Sequence, residues 1–92
     1  MSDTLHINDT LIAAGFTCEV EINPEPGVRN VDITSANRDP VTGERRFDVA
    51  ADAARALANA GYDILCYGSG LGANGTIATL MVRRTAPARH AA

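Results

Sequence analysis

The chain has 92 residues, which is enough for one domain with a single modest core. Its net charge of −3 and pI of about 5.1 argue against binding phosphate-rich partners through bulk electrostatics. No apolar run reaches the length of a membrane span, and the N-terminus lacks the basic and apolar regions of a signal peptide. We therefore expect a single cytoplasmic domain without a membrane segment.

Residues 2–14 are predicted to form the first helix, capped at its N-terminus by Ser2 or Asp3. The alternation within Thr4–Ile7 leaves an alternative open, in which this segment is a short strand and a stubby helix follows Asn8. The expected apolar side of the helix consists of Leu5, Leu11 and Ile12.

The phrase Leu-x-x-Ala-Gly-aromatic occurs twice, at Leu11–Phe16 and at Leu57–Tyr62, 46 positions apart. A helix that ends with a left-handed glycine places the next apolar residue against one a turn earlier. Each copy therefore predicts a helix that stops at Gly15 or Gly61 and a strand that begins directly after it. An internal pseudo-repeat and two independent helix stops would both produce this pattern.

Residues 17–23 alternate between apolar and polar side chains, as a half-buried strand does. The segment Asn23–Gly27 contains two prolines and a glycine, which predict a turn. Val28–Thr34 then forms the second strand of a hairpin. The outward face of this hairpin is expected to be polar, with the side chains of Thr17, Glu19, Glu21, Arg29 and Asp32.

Residues 35–46 are the main irregular stretch, and a second helix is predicted from the N-cap Asp48 to Ala60. This helix is rich in alanine, which lets a helix approach a sheet closely. Its polar residues share one face, on which Asp52 and Arg55 are spaced to form an ion pair.

Tyr62–Tyr67 and Thr76–Arg84 are predicted as the third and fourth strands, joined by the glycine-rich segment 68–75. We expect one α+β domain over residues 1–84 with the order αββαββ, followed by a flexible C-terminal tail at 85–92. The simplest arrangement is a four-stranded antiparallel sheet with both helices on one face. An additional N-terminal strand would bring the layout towards a ferredoxin-like one.

The second hairpin lacks a clearly polar face, because apolar residues occupy both phases of its strands. Simple alternation places Ile64 and Cys66 on one face and Leu65 and Tyr67 on the other. A strand that is apolar on both sides is covered on both sides, and two helices cover only one face. The face that the helices leave open is therefore predicted to contact a protein partner or a second copy of the chain. Alternatively, a terminal segment of the chain itself covers this face. The predicted contact residues are Leu65, Tyr67, either Leu80 or Met81, and the acidic Glu19, Glu21 and Asp32.

No catalytic or metal-binding constellation is recognisable in the sequence. His6 and His90 lie near opposite ends, and Cys18 and Cys66 fall on apolar phases of strands, where free cysteines act as small hydrophobes. Gly70–Gly75 matches GxGxxG, but the following segment is β-branched rather than helical and contains no acidic residue. We expect no cofactor, no metal and no enzymatic activity.

These features predict a small, non-catalytic interaction protein that acts as an inhibitor or adaptor by binding a protein surface, of the kind carried by phages and mobile elements. We also expect it to form a homodimer. One alternative is a nucleic-acid-binding α+β module that uses Arg38, Arg45 and Arg46, for which steep salt dependence would be diagnostic. A small-molecule binder that uses the segment 68–75 would instead show ligand-dependent thermal stabilisation.

Overall fold

The computed structural model describes residues 3–37, 40–43, 48–69 and 75–85. The element order αββαββ confirms the predicted α+β fold. Its elements are α1 (Asp3–Ala13), β1 (Phe16–Ile22), β2 (Val28–Ala36), α2 (Val49–Asn59), β3 (Tyr62–Ser69) and β4 (Ala78–Arg84). Neither helix in this part of the chain combines the length and apolarity that crossing a membrane requires.

The first helix is confirmed by α1, and the alternative of a strand at Thr4–Ile7 is wrong. Ile7 and Leu11 lie one turn apart and are completely buried. Leu5 and Ile12 are 51% and 57% exposed, so the prediction that they share the buried side with Leu11 is also wrong. The four-residue spacing of the two buried side chains sets the face that contacts the sheet.

The four strands form one antiparallel sheet in the order β1-β2-β4-β3, so the two hairpins meet along β2 and β4. α1 packs mainly on β1, and α2 mainly on β3. One core cluster combines both helices with Val31 and Ile33 of β2 and with Leu80 and Val82 of β4. Both helices therefore lie on the same face of the sheet. We call the opposite side the open face.

The repeated sequence phrase corresponds to a repeated structure. α1 and α2 each have eleven residues and begin 46 positions apart. Both predicted stops are confirmed, because Gly15 and Gly61 have φ values of 92° and 101°. The Gly15 carbonyl accepts a hydrogen bond from the Asn37 amide at 2.7 Å, and the Gly61 carbonyl accepts one from the Thr85 amide at 2.8 Å. Each αββ unit is thus closed by the same bond, from the residue after its second strand to its helix-ending glycine.

The two units meet around an approximate two-fold axis. β2 and β4 pair antiparallel, with Val31 opposite Leu80 near the middle of the ladder. The strand order reads the same outwards from this pair, since β1 and β3 form the two edges. Phe16 and Tyr62 consequently hold equivalent positions at the starts of the edge strands.

The second helix begins as predicted. The Asp48 side chain accepts a hydrogen bond from the Ala51 amide at 3.0 Å, which is the geometry of an N-cap. Three of its alanines and Leu57 are buried, whereas Arg55 is exposed. The small alanine side chains let α2 approach β3 closely.

Candidate functional site

Two rows of side chains cross the open face from β1 to β3. The members of each row are cross-strand neighbours. Each row begins with an acidic residue on β1 and ends with an uncharged residue on β3. One row consists of Glu21, Asn30, Met81 and Cys66, and the other of Glu19, Asp32, Thr79 and Gly68. Along these two rows the open face is acidic towards the β1 edge and carries uncharged residues towards the β3 edge, where the pair Asp63 and Arg83 adds one residue of each charge beside the rows.

A β-bulge in β3 decides which side chains reach the apolar end. Ile64 pairs with Val82 and Cys66 pairs with Met81, so Leu65 is an additional residue in β3. In a bulge, two residues of one strand lie opposite a single residue of its partner. Leu65 and Cys66 therefore both lie opposite Met81. Leu65 is 42% exposed.

The bulge changes the predicted assignment of side chains to faces. Ile64 and Cys66 do not share a face as simple alternation predicted, because the extra residue reverses the phase after Ile64. Tyr67 pairs with Leu80 on the helix side of the sheet and is 54% exposed there. Leu80 is only 2% exposed and belongs to the core. Of the two alternative contact residues on β4, Met81 is the one that lies on the open face.

The two thiols have opposite environments. Cys18 packs against the core, and its Sγ lies 3.5 Å from the side-chain oxygen of Asn8 in α1. Burial raises the pKa of the Cys18 thiol to about 11, which keeps it protonated. Cys66 is exposed, so the expectation that both cysteines are buried hydrophobes is wrong for Cys66. The signal that could have revealed the bulge is the unbroken apolar run from Ile64 to Tyr67.

The acidic end of the open face places like charges side by side. Glu19 on β1 pairs directly with Asp32 on β2, while the next acid along the edge, Glu21, pairs with the neutral Asn30. Like charges directly opposite each other destabilise an antiparallel pair. The isolated chain therefore carries an unfavourable interaction at this edge.

Arg29 does not belong to this acidic face, although the sequence placed it there. It pairs with Ile22, which shares the helix side with the core residues of β1. Its Nε donates a hydrogen bond to the Thr4 hydroxyl of α1 at 3.3 Å. Residues three apart on a strand face opposite sides, so Arg29 and Asp32 cannot share a face.

A polar cluster surrounds Tyr62 on the helix side of the sheet. The Tyr62 hydroxyl and His6 Nδ1 are hydrogen-bonded at 2.7 Å, and the Arg84 guanidinium carbon lies 4.8 Å from the centre of the Tyr62 ring. Arg84 also donates from Nη2 to the Asp3 carboxylate at 3.1 Å. Burial raises the pKa of Tyr62, and the Arg84 charge partly offsets this rise. We call these four residues the Tyr62 cluster.

A cavity of about 260 Å³ lies between the end of α1, the outer face of α2 and the segment 40–43. The predicted ion pair forms beside it, with Arg55 Nη1 3.4 Å from Asp52 Oδ1. We call this space the Phe16 cavity. Its walls include Ala13, Phe16, Val41, Asp52, Arg55 and Asn59.

Residues 3–37, 40–43, 48–69 and 75–85 contain no group of three or more His, Cys, Asp or Glu side chains that could hold a metal ion. The nucleic-acid alternative relied on Arg38, Arg45 and Arg46, which lie outside the described residues. The same is true of most of the predicted glycine-rich loop and of residues 86–92 in the predicted tail.

No family model matches this sequence, and comparisons with curated proteins and with solved structures found no significant match. The chain is thus defined by its architecture, as an α+β protein of two αββ units whose shared sheet is covered by helices on one face.

Proposed function

We propose that this protein is a small, non-catalytic interaction module that binds a protein surface through its open face, as an inhibitor or adaptor does. The observation that carries the proposal is the β3 bulge. It brings Leu65 and Cys66 together opposite Met81 on the face that neither helix covers. Apolar side chains grouped on an exposed sheet face favour a partner that removes them from water.

A second copy of the chain is the partner that this surface fits most simply. In a two-fold dimer the same patch contacts itself, so the apolar ends of two open faces can meet. The acidic ends then lie away from the dimer interface, because they are at the opposite edge of each sheet. This arrangement buries Leu65 and Met81 without bringing Glu19 or Glu21 near their own copies.

The proposal is tested by measuring the solution mass of the chain across a concentration series by light scattering. We expect a concentration-dependent dimer for the wild type and a monomer for Leu65→Asp. The reason is that the new carboxylate would be buried in the dimer interface without a partner. Leu5→Asp is the matched control, since Leu5 is similarly exposed but lies on α1. A wild type that stays monomeric, or a dimer that survives Leu65→Asp, contradicts association through the open face.

The acidic end of the open face supplies a second, separable part of the interaction. Glu19, Glu21 and Asp32 would favour a basic region on the bound protein and would disfavour an acidic one. We expect Glu19→Gln and Glu21→Gln to weaken binding to such a partner mainly by slowing association, with a smaller effect at high salt. Unchanged association with every identified partner would remove the acidic residues from the site while leaving the apolar end in place.

A further inference from the structure

We propose that two copies of this chain pack face to face through β3 and β4, with Arg83 of each copy contacting Asp63 of the other. The two-fold axis of this dimer runs along the strands, between β3 and β4, so the paired sheets have their strands in the same direction. The inference rests on the proposed function, because it specifies how a second copy lies on the open face.

The open face along β3 and β4 is complementary to itself. Its cross-strand neighbours are Arg83 and Asp63, Met81 and Cys66, and Thr79 and Gly68. The first two have opposite charges, the second two are uncharged and have Leu65 beside them, and the third two are small. A two-fold axis along the strands exchanges β3 and β4 between the copies. Each residue then meets, on the second copy, the residue type that already lies beside it in its own sheet.

The charged neighbours are placed to reach beyond their own chain. Arg83 and Asp63 are both exposed. The Arg83 stem lies towards β2, since a Cβ added at Gly27 would be 3.9 Å from its Cγ and Cδ. The Asp63 carboxylate accepts a hydrogen bond from the Thr85 hydroxyl at 2.9 Å through one of its two oxygens. Arg83 and Asp63 take part in neither of the ion pairs that the described residues form with one another.

Charge also distinguishes this axis from the other one that can stack two open faces. An axis across the strands would place Arg83 opposite Thr79 of the second copy and would lay β1 over β1. Glu21 on β1 would then face its own copy, and like charges that meet across an interface disfavour binding. With the axis along the strands, β1 of each copy projects beyond the β3 edge of the other. The acidic residues stay apart, and the opposite charges meet.

Gly68 provides room for the second copy. Stacked sheets lie about 10 Å apart, with strand directions within about 30° of each other. At this distance the side chains of two sheets interdigitate, and Thr79 of one copy enters the space above Gly68 of the other. A Cβ added at Gly68 would meet no atom of its own chain within 4 Å. A side chain at this position would therefore be harmless in the monomer and obstructive in the dimer.

The first experiment exchanges charges between two variants of the full chain, with light scattering as the readout. We expect Asp63→Arg and Arg83→Asp each to dimerise at least roughly tenfold more weakly than the wild type, because like charges then meet across the axis. Mixed in equal amounts, the two variants should form a heterodimer, since each supplies the charge that the other lacks. An effect confined to the interior of each monomer would not be repaired by mixing.

The matched control for charge is Asp9→Arg, at an exposed position on α1. It changes the net charge as Asp63→Arg does, and it should dimerise like the wild type. Its mixture with Arg83→Asp has the same net charges as the complementary mixture but should form no additional heterodimer. This control separates local pairing from general attraction between oppositely altered chains.

The second experiment uses Gly68→Val and its neighbour Ser69→Val. Ser69 lies opposite the core residue Ala78, so it belongs to the helix side of the sheet. We expect Gly68→Val to unfold at the same temperature as the wild type or higher, because valine suits a strand better than glycine. It should nevertheless dimerise roughly tenfold more weakly, because the added side chain occupies the space for Thr79. Ser69→Val should leave dimerisation unchanged.

The outcomes separate this orientation from the proposed function. A wild type that stays monomeric overturns both. If the wild-type dimer is lost in Leu65→Asp, the open face is the interface. The orientation is then overturned if the complementary mixture stays monomeric, or if Gly68→Val dimerises like the wild type.

Discussion

The Tyr62 end and the Phe16 end of this protein share a backbone design and carry different side chains at equivalent positions. Each begins with a helix that stops at a left-handed glycine, followed by an aromatic residue that opens an edge strand. At one end the aromatic residue is held in a polar cluster, and at the other it borders a cavity. A repeated stop motif therefore determines the path of the chain but not the chemistry beside it.

The Tyr62 cluster also joins the two units. His6 and Asp3 belong to α1 in the first unit, whereas Tyr62 and Arg84 belong to the strands of the second. At the other end, Phe16 of the first unit and Asp52 and Ala56 of α2 line one cavity. We therefore expect the two ends to respond differently to the same kind of substitution, while the shared core responds alike.

The largest expected effect concerns the core that the two halves share. Leu11 and Leu57 hold equivalent positions one turn before each helix stop, and both are completely buried. We expect Leu11→Ala and Leu57→Ala each to lower the free energy of unfolding by about 2–5 kcal/mol, because each leaves a cavity in a close-packed interior. Denaturant unfolding measures both values. Leu5→Ala is the exposed control and should change stability by no more than about 0.5 kcal/mol. A large cost in only one half would show that the units do not share their core equally.

An intermediate effect separates the two aromatic ends. Tyr62→Phe removes the hydroxyl that is hydrogen-bonded to His6 and makes this end resemble the other. We expect it to lower the free energy of unfolding by about 1 kcal/mol, the usual net value of such a bond. The reciprocal Phe16→Tyr should cost less, since the added hydroxyl has the adjoining cavity to enter. Equal effects of the two substitutions would contradict a special role for the Tyr62 cluster.

The raised pKa of Tyr62 predicts that the stability of the protein decreases at alkaline pH. The pKa of Tyr62 is raised above 10.0, so folding favours the protonated phenol. Its contribution is fully present below about pH 10 and is lost as the pH rises through the folded-state pKa. Cys18 acts with the same sign between pH 9.0 and about 11. The effect of Tyr62 is isolated by comparing the Cys18→Ala variant with the Cys18→Ala/Tyr62→Phe double variant. We expect the double variant to lose less stability above pH 10. Parallel profiles would contradict the assignment.

The smallest effect distinguishes the two edge strands. Glu19→Gln removes one of two carboxylates that face each other across β1 and β2, so it should stabilise the isolated chain by about 0.2–1 kcal/mol. Glu21→Gln is the matched control, because its cross-strand neighbour is the neutral Asn30. Thermal unfolding at low salt resolves the pair of variants, and the difference should shrink as salt screens the charges. Equal shifts would show that the Glu19–Asp32 pairing is not specifically unfavourable.

The elements and most of their boundaries could be predicted from the sequence, although β2 and β3 each extend two residues beyond their predicted ends and β4 begins two residues later than predicted. The two glycine stops, the Asp48 cap and the Asn23–Gly27 turn act within a few residues through backbone conformation and local hydrogen bonds. The Asp52–Arg55 pair was equally predictable, since helical spacing alone brings its members together. Such features need no knowledge of the rest of the chain.

The surfaces that those elements present depend on how the elements pack together. The bulge at Leu65 depends on how β3 is matched to β4, and it moved Cys66 to the open face and Tyr67 to the helix side. The exposure of Leu5 likewise depends on how α1 sits on the sheet, and the Phe16 cavity exists only where two distant segments meet. Period-2 and period-3.6 patterns carry no information about an inserted residue or about which faces meet, because both are set by packing between residues far apart in the chain.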